Sequence, residues 1–144
     1  MVKFRYIVIM VQNDYSFSFL KYRPDRVSGE FVNIGVLVWS PNQRFLGFRG
    51  AISETRCMAM LGMPVSPLAK KELEAITIKL EQLSGEVAKW SAVRLMSTGI
   101  KCFEERSLPA TNGLLVWSSQ RHAICHLPKV DLDTLFDYYI AARE

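Results

Sequence analysis

The pattern of apolar and polar residues changes twice along the chain. In Tyr15–Tyr22, aromatic residues alternate with serines, which is the two-residue period of a strand whose aromatic face lies on a core. Phe31–Trp39 is almost wholly apolar, which predicts a central strand buried on both faces. Arg44–Arg49 predicts a third strand. The first third of the chain therefore predicts an antiparallel meander.

Turn residues separate these predicted strands. Pro24 fixes its own φ angle, and Gly29 permits a positive φ, so the segment between the first two strands has the chemistry of a turn. A second turn follows at Pro41, Asn42 and Gln43. Within the third strand, Gly47 indicates a close approach of backbone or a bulge.

The middle third has a helical period. Ser53 can cap a short helix that continues to Leu61 and ends at Gly62. Ser66 followed by proline predicts the start of a second helix. Apolar residues then recur every three or four positions, so this helix lays one stripe against the sheet until Ser84 and Gly85 stop it.

The last third returns to strands and then to a helix. Leu114–Trp117 and His122–Leu127 predict two short strands that complete the sheet. Asp131 is a plausible cap for a C-terminal helix, whose apolar stripe over 132–140 packs on the core first and offers a partner interface second. Glu86–Met96 fits neither period and is left open between helix and extended chain.

The length and composition indicate one globular domain. A chain of 144 residues with 49% hydrophobic content can bury a core without disulfides or metal. We predict an α+β fold with an antiparallel sheet of about five strands and two to four helices packed on it. Residues 14–144 form this single domain, and residues 1–13 form an N-terminal extension or an edge strand.

The net charge bears on the partners of the protein, and the cysteine content bears on its compartment. The net charge of +4 favours acidic partners without identifying one, since the basic residues are scattered. Three widely spaced cysteines, Cys57, Cys102 and Cys125, argue against a disulfide framework and for a reducing compartment. No segment approaches the roughly 20 apolar residues of a membrane helix. We expect a soluble cytoplasmic protein without a membrane partner.

The first turn carries a cluster of polar residues, which is the candidate binding site. It consists of Arg23, Asp25, Arg26, Glu30 and Asn33. If Arg23 and Glu30 face each other across the hairpin, they form an ion pair, and Asn33 points into the sheet. One interpretation is that these side chains only shape the turn. The alternative is that the cluster binds a ligand or a partner, because binding groups concentrate on loops carried by rigid strands.

Histidine and cysteine residues near the C-terminal end suit two other kinds of site, a zinc site and a Cys/His hydrolase site. His122, Cys125 and His126 form an HxxCH set of zinc-ligand types, but only two of them share a face of a strand and no second ligand pair completes a site. A Cys/His hydrolase lacks a local signature here. We therefore expect no metal and no cofactor, and the absence of nucleotide-binding and nucleophile motifs favours a non-enzymatic protein.

A nucleic-acid surface is the runner-up to a protein interface. Basic residues interleaved with aromatic ones could neutralise phosphates and stack on bases. The set comprises Lys21, Arg23, Arg26, Arg44 and Arg49 with Tyr22, Phe45 and Phe48. Aromatic residues on strands are more often part of a core, so this interpretation is the weaker one.

The N-terminal block resembles a known family. The run YSFSFLKYRPDRVSGEFVNIGVLVW over 15–39 is similar to the opening of an uncharacterised bacterial family, the domain of unknown function 3037. Its R-x-P-D turn and G-E-x-x-N-x-G-V block match at Arg23, Pro24, Asp25, Gly29, Glu30, Asn33, Gly35 and Val36. The segment DLDTLFDYYI over 131–140 is similar to the helix that closes such proteins.

This resemblance implies a role without implying an activity. It brings no catalytic residue and no cofactor. Genes of this kind often lie next to genes for HipA-like kinases, so the resemblance implies an accessory or regulatory partner in a bacterial stress or conflict module of the toxin–antitoxin or phage-defence type. The leading hypothesis is a protein that binds such a partner, and the alternative is a nucleic-acid-binding protein, such as a nuclease subunit.

Overall fold

The computed structural model describes most of the chain between residues 14 and 141. The described residues are 14–25, 27–41, 43–91, 93–95, 113–119, 121–124 and 127–141. The extension or edge strand predicted for residues 1–13 lies outside them, and so does Arg26 of the candidate cluster.

The fold is α+β and is built around one antiparallel sheet. Strands β1 (Asp14–Tyr22), β2 (Val32–Ser40) and β3 (Phe45–Gly50) form the predicted meander. The sheet order is β3-β2-β1-β4, where β4 is Leu115–Trp117, and β5 (Arg121–Ile124) also pairs with β1. The predicted fold class and the central position of β2 are confirmed.

Strands β4 and β5 are consecutive parts of one interrupted edge strand. β4 pairs with the end of β1 and β5 pairs with its beginning, both antiparallel. Between them, the Phe19 amide donates to Ser118 Oγ and the Ser118 amide donates to the Phe19 carbonyl, each at 2.8 Å. The described sheet is therefore four strands wide, although five strand segments form it.

Helices cover both faces of the sheet. Helices α1 (Glu54–Leu61) and α2 (Pro67–Val87) contribute to the core on one face. Helix α3 (Pro128–Phe136), continued by a π-helical segment (Asp137–Ala141), contributes to the core on the other. A strand between two helical layers has no solvent-facing side, which explains why β2 is apolar at nearly every position.

Side chains of each central strand point to opposite faces of the sheet and so belong to different cores. Leu37 and Trp39 of β2 belong to the core under α1 and α2, whereas Val36 and Val38 belong to the core under α3. In β1 the predicted aromatic face packs under α3. The serine face of β1 is buried as well, so the expectation of one buried face on this strand was incomplete.

The predicted ends of α1 are confirmed. The Ser53 side chain accepts a hydrogen bond from the Arg56 amide, which satisfies one of the free amides at the helix start. Gly62 ends the helix in the left-handed conformation with φ 69°, where glycine has no steric penalty.

Two other predicted helix ends are wrong. Helix α2 continues past Ser84 and Gly85 to Val87, which is buried. Ser84 Oγ donates to the Leu46 carbonyl of β3 at 2.6 Å, so this part of the helix is tied to the sheet. The C-terminal helix is capped at Leu127 instead of Asp131, since its first turn begins at Pro128. The open segment Glu86–Met96 begins as the last turn of α2.

A β-bulge lies where β2 approaches the first turn. Leu20 pairs with Gly35 and Lys21 pairs with Asn33, so Ile34 is an extra residue on β2. Ile34 joins Val32 in the core under α1 and α2. Asn33 lines a cavity that Ile140 of the π-helical segment also lines. The bulge thus places a polar residue beside the end of the C-terminal helical layer.

Candidate interaction site at the hairpin end

The loop between β1 and β2 is held by its own side chains. Asp25 Oδ1 accepts a hydrogen bond from the Val27 amide at 2.9 Å, and the Asp25 carbonyl accepts from the Gly29 amide at 3.2 Å. Ser28 Oγ accepts from the Glu30 amide at 3.3 Å. Gly29 has φ 72°, as predicted for a turn glycine. Asp25 therefore has a structural role in this turn.

The charged residues of the predicted cluster do not form one constellation. No ion pair joins Arg23 to Glu30, both of which the structure describes. The Glu30 side chain is exposed, whereas Arg23 is half-buried and its amide donates to the Leu114 carbonyl at 2.7 Å. Whether the cluster binds anything stays a prediction.

A cation lies over an exposed aromatic ring at this end of the sheet. Lys21 Nζ is 4.2 Å from the centroid of the Phe31 ring. Phe31 keeps its ring exposed, and Val27 at the tip of the loop is 96% exposed. The hairpin end therefore presents apolar side chains next to a positive charge, a combination suited to a partner with apolar and acidic groups.

Further exposed apolar side chains lie on the turn between α1 and α2. The Ser66 amide donates to the Tyr22 hydroxyl at 3.1 Å, which fixes this turn at the hairpin end of the sheet, because Tyr22 is the last residue of β1. The exposed large apolar side chains on α1, on this turn and at the start of α2 are Met58, Met60, Met63 and Leu68. Methionine-rich surfaces adapt their shape to a partner. We call these four residues, together with Val27 and Phe31, the hairpin-end surface.

A cavity of about 240 Å³ lies beside the bulge of β2. Its polar lining comes from Asn33, Ser53 and Arg56, and its apolar walls include Val32, Ile52 and Ile140. Among the described residues, neither Asn33 Oδ1 nor Arg56 Nε has a hydrogen-bond partner, although both atoms are buried. Asn33, a residue of the predicted cluster, thus lines this cavity.

Arg56 fastens α1 to the C-terminal layer. Its guanidinium donates to the carbonyl of Ile140, and a second bond, 3.1 Å long, reaches the carbonyl of Tyr139. A positive group at these carbonyls complements the negative end of the helical dipole. Arg56 has no signal in the sequence, because its partners are backbone atoms 83 and 84 residues away and leave no local pattern.

The predicted basic and aromatic surface is divided in the structure. Tyr22 is buried, and Phe45 and Phe48 pack against the two cores. Arg44 donates to the carbonyl of Trp90. Arg49 is bound to Asp133 at 2.9 Å and lies 4.0 Å from the Phe136 ring centroid. Lys21 and Arg23 remain at the hairpin end, apart from these packed residues.

The HxxCH set falls largely outside the described part of the chain. His122 contributes backbone to β5, whereas Cys125 and His126 are not among the described residues. Among the residues that the structure does describe, no group of three His, Cys, Asp or Glu side chains is arranged to hold a metal ion.

Cys57 is buried between α1 and the sheet. Burial raises the pKa of the Cys57 thiol, neighbouring Arg56 lowers it, and Glu54 adds to the increase. The net increase keeps the thiol protonated at neutral pH, and a buried thiol is a poor nucleophile.

We expect Cys57 to react slowly with a disulfide reagent. In a protein with Cys102→Ser and Cys125→Ser, labelling of the folded form at pH 8 should be at least about 100-fold slower than in urea, because reaction requires local opening. Absorbance of the released thiolate measures the rate, and the urea-unfolded protein is the control. Equal rates in both conditions would contradict the buried position.

The part of the chain that the structure describes contains no helix long and apolar enough to cross a membrane.

Comparison with known proteins agrees with the residue pattern of the hairpin. The family model described as "Protein of unknown function (DUF3037)" matches residues 17–140. The chain belongs to this family. The match begins in β1 and ends in the π-helical segment, so it includes the DUF3037 hairpin, the cavity and the C-terminal layer. Searches of curated proteins and of solved structures gave no match.

Proposed function

We propose that this DUF3037 protein is a non-enzymatic interaction protein that binds a partner protein through the hairpin-end surface. The supporting observations are the exposure of apolar side chains on the hairpin loop and around the α1–α2 turn, and the bond that holds this turn beside the last residue of β1. Exposed apolar groups that lie together mark interaction sites more often than isolated ones do. The hydrophobic effect would supply the affinity when a partner covers them.

The charges at this end suit an acidic partner. No described carboxylate lies within 4 Å of the side-chain nitrogens of Lys21, Arg23 or Arg56. The acids of the loop, Asp25 and Glu30, offset part of this positive charge. We propose that the partner presents apolar side chains flanked by carboxylates, since complementary charges raise the association rate and the specificity.

The biological setting follows from the family resemblance. We propose an accessory or regulatory role in the bacterial cytoplasm, within a stress or conflict module of the toxin–antitoxin or phage-defence type, with a HipA-like kinase as the first partner to test. A nucleic-acid partner receives less support, because Arg44 and Arg49 have intramolecular partners and the aromatic residues expected beside them are packed.

The test is purification of the tagged protein from its native host without nuclease treatment. We expect a stoichiometric protein partner to co-elute. Val27→Asp with Phe31→Asp should reduce its recovery at least about tenfold, because charges replace apolar groups at the interface. Mass spectrometry identifies and quantifies the partner.

Ile78→Asp is the matched control, because Ile78 is also exposed but lies on α2 outside the hairpin-end surface. This variant should retain the partner. Equal recovery from both variants would place the interface elsewhere. Co-eluting nucleic acid that leaves in a high-salt wash would replace the proposal with the nucleic-acid alternative, because phosphate contacts weaken steeply with salt.

A further inference from the structure

The cavity beside the bulge has polar groups whose bonding capacity is unused. Ser53 Oγ accepts from the Arg56 amide, and two nitrogens of the Arg56 guanidinium donate to carbonyls. The buried Nε–H of Arg56 and the buried Oδ1 of Asn33 have no partner among the described residues. Buried polar groups are normally hydrogen-bonded, so this pair marks a place where a ligand group gains bonds.

The charge of the cavity selects the kind of ligand. Arg56 is the charged residue of its lining, and no acidic residue is among the described lining residues. The carbonyls of Tyr139 and Ile140 supply only the partial negative charge of a helix end, roughly half an elementary charge. The guanidinium therefore keeps positive charge available for an anion.

The donor groups that this cavity can offer suit a carboxylate. A carboxylate oxygen can accept the Nε–H of Arg56 in a charge-assisted hydrogen bond. Rotation of the Asn33 carboxamide presents its NH2 group, which can donate to the second oxygen. The apolar walls formed by Val32 and Ile140 lower the local dielectric and strengthen both bonds.

We infer that this cavity is a receptor for a carboxylate group. The preference for a carboxylate follows from the lining of the cavity itself. The assignment of this carboxylate to an acidic side chain of a partner protein rests on the proposed function. A free carboxylic acid shares the same chemistry. A phosphate group carries about −1.5 to −2 charges, which is more than the single positive charge of the guanidinium neutralises.

The test uses the full chain and NMR. We would follow the side-chain signals of Asn33 and Arg56 during titration with sodium acetate, sodium chloride and sodium phosphate at equal ionic strength. A second titration compares two amidated peptides that differ in one residue, Glu in one and Gln in the other, within the same apolar sequence. The Glu peptide should bind at least about tenfold more tightly than the Gln peptide.

Asn33→Asp is the decisive variant, because it places a carboxylate in the cavity from within the chain. It should lose the response to acetate and to the Glu peptide. Gln82→Glu is the matched control, since it makes the same charge change at an exposed position of α2, and it should respond as the parent protein does.

The outcomes separate this inference from the proposed function. A preference for the Glu peptide over acetate identifies a protein source, and the reverse identifies a free acid. Equal responses to chloride or phosphate, or equal binding of the two peptides, would overturn the carboxylate receptor. No response of the parent protein to acetate or to the Glu peptide, together with a protein partner that still co-purifies, would overturn the receptor and leave the interaction protein standing.

Discussion

Trp39→Ala is expected to lower the free energy of unfolding by about 3 to 5 kcal/mol. Trp39 is 1% exposed and packs edge-to-face on Trp90, with the ring centroids 6.2 Å apart. The substitution leaves a cavity in the core that α1 and α2 share with the sheet. The total free energy of unfolding of a single domain is about 5 to 15 kcal/mol, so the midpoint of urea unfolding should fall substantially.

Leu68→Ala is the control for this experiment, because Leu68 lies exposed in the first turn of α2. Its effect should stay within about 0.5 kcal/mol. Circular dichroism at increasing urea gives both values. A loss below about 1 kcal/mol for Trp39→Ala would mean that this side chain does not fill the core as the structure shows.

The period of the sequence was enough to predict the three strands of the meander and the central position of β2. Alternation in β1 and continuous apolar character in β2 reflect how many faces of each strand are covered, and this information is local. The buried serines of β1 show the limit of that reasoning. Serine is polar in any local pattern, and only the packing of another layer buries Ser16 and Ser18.

Helix ends were less predictable than helix positions. Ser53 and Gly62 act through neighbours a few residues away, so their roles could be predicted from sequence. Ser84 acts through the Leu46 carbonyl, 38 residues away in the chain. A local pattern predicts a stop at Ser84 and Gly85, whereas the helix runs on to Val87, whose burial depends on residues distant in the sequence.

The candidate site shows the same division between local and long-range information. Asn33 belongs to the predicted cluster because it lies among polar residues close to the first turn. Its neighbour in the cavity, Arg56, lies on α1, and no composition signal reveals the bulge of β2 beside which Asn33 meets this cavity. Sequence reasoning therefore found one residue of the cavity and missed the charged residue that determines its chemistry.

Phe136→Ala is expected to lower the free energy of unfolding by about 3 to 5 kcal/mol as well. Phe136 is 8% exposed and belongs to the core beneath α3. The guanidinium of Arg49 also lies over its ring, 4.0 Å from the ring centroid. Such a cation–π interaction is worth about 0.5 to 1 kcal/mol at an exposed site. A large loss would show that the stripe of this helix serves the core, as opposed to a partner interface. Urea unfolding measures it.

Val130→Ala is the control on the same helix, since Val130 is exposed, and its effect should be within about 0.5 kcal/mol. The milder pair Trp39→Phe and Phe136→Leu tests the layered fold itself. Because the two residues belong to separate cores on opposite faces of the sheet, their losses should add to within about 0.3 to 0.5 kcal/mol. A coupling energy above about 1 kcal/mol would mean that the sheet does not separate the two cores, because side chains in contact are the ones that couple this strongly.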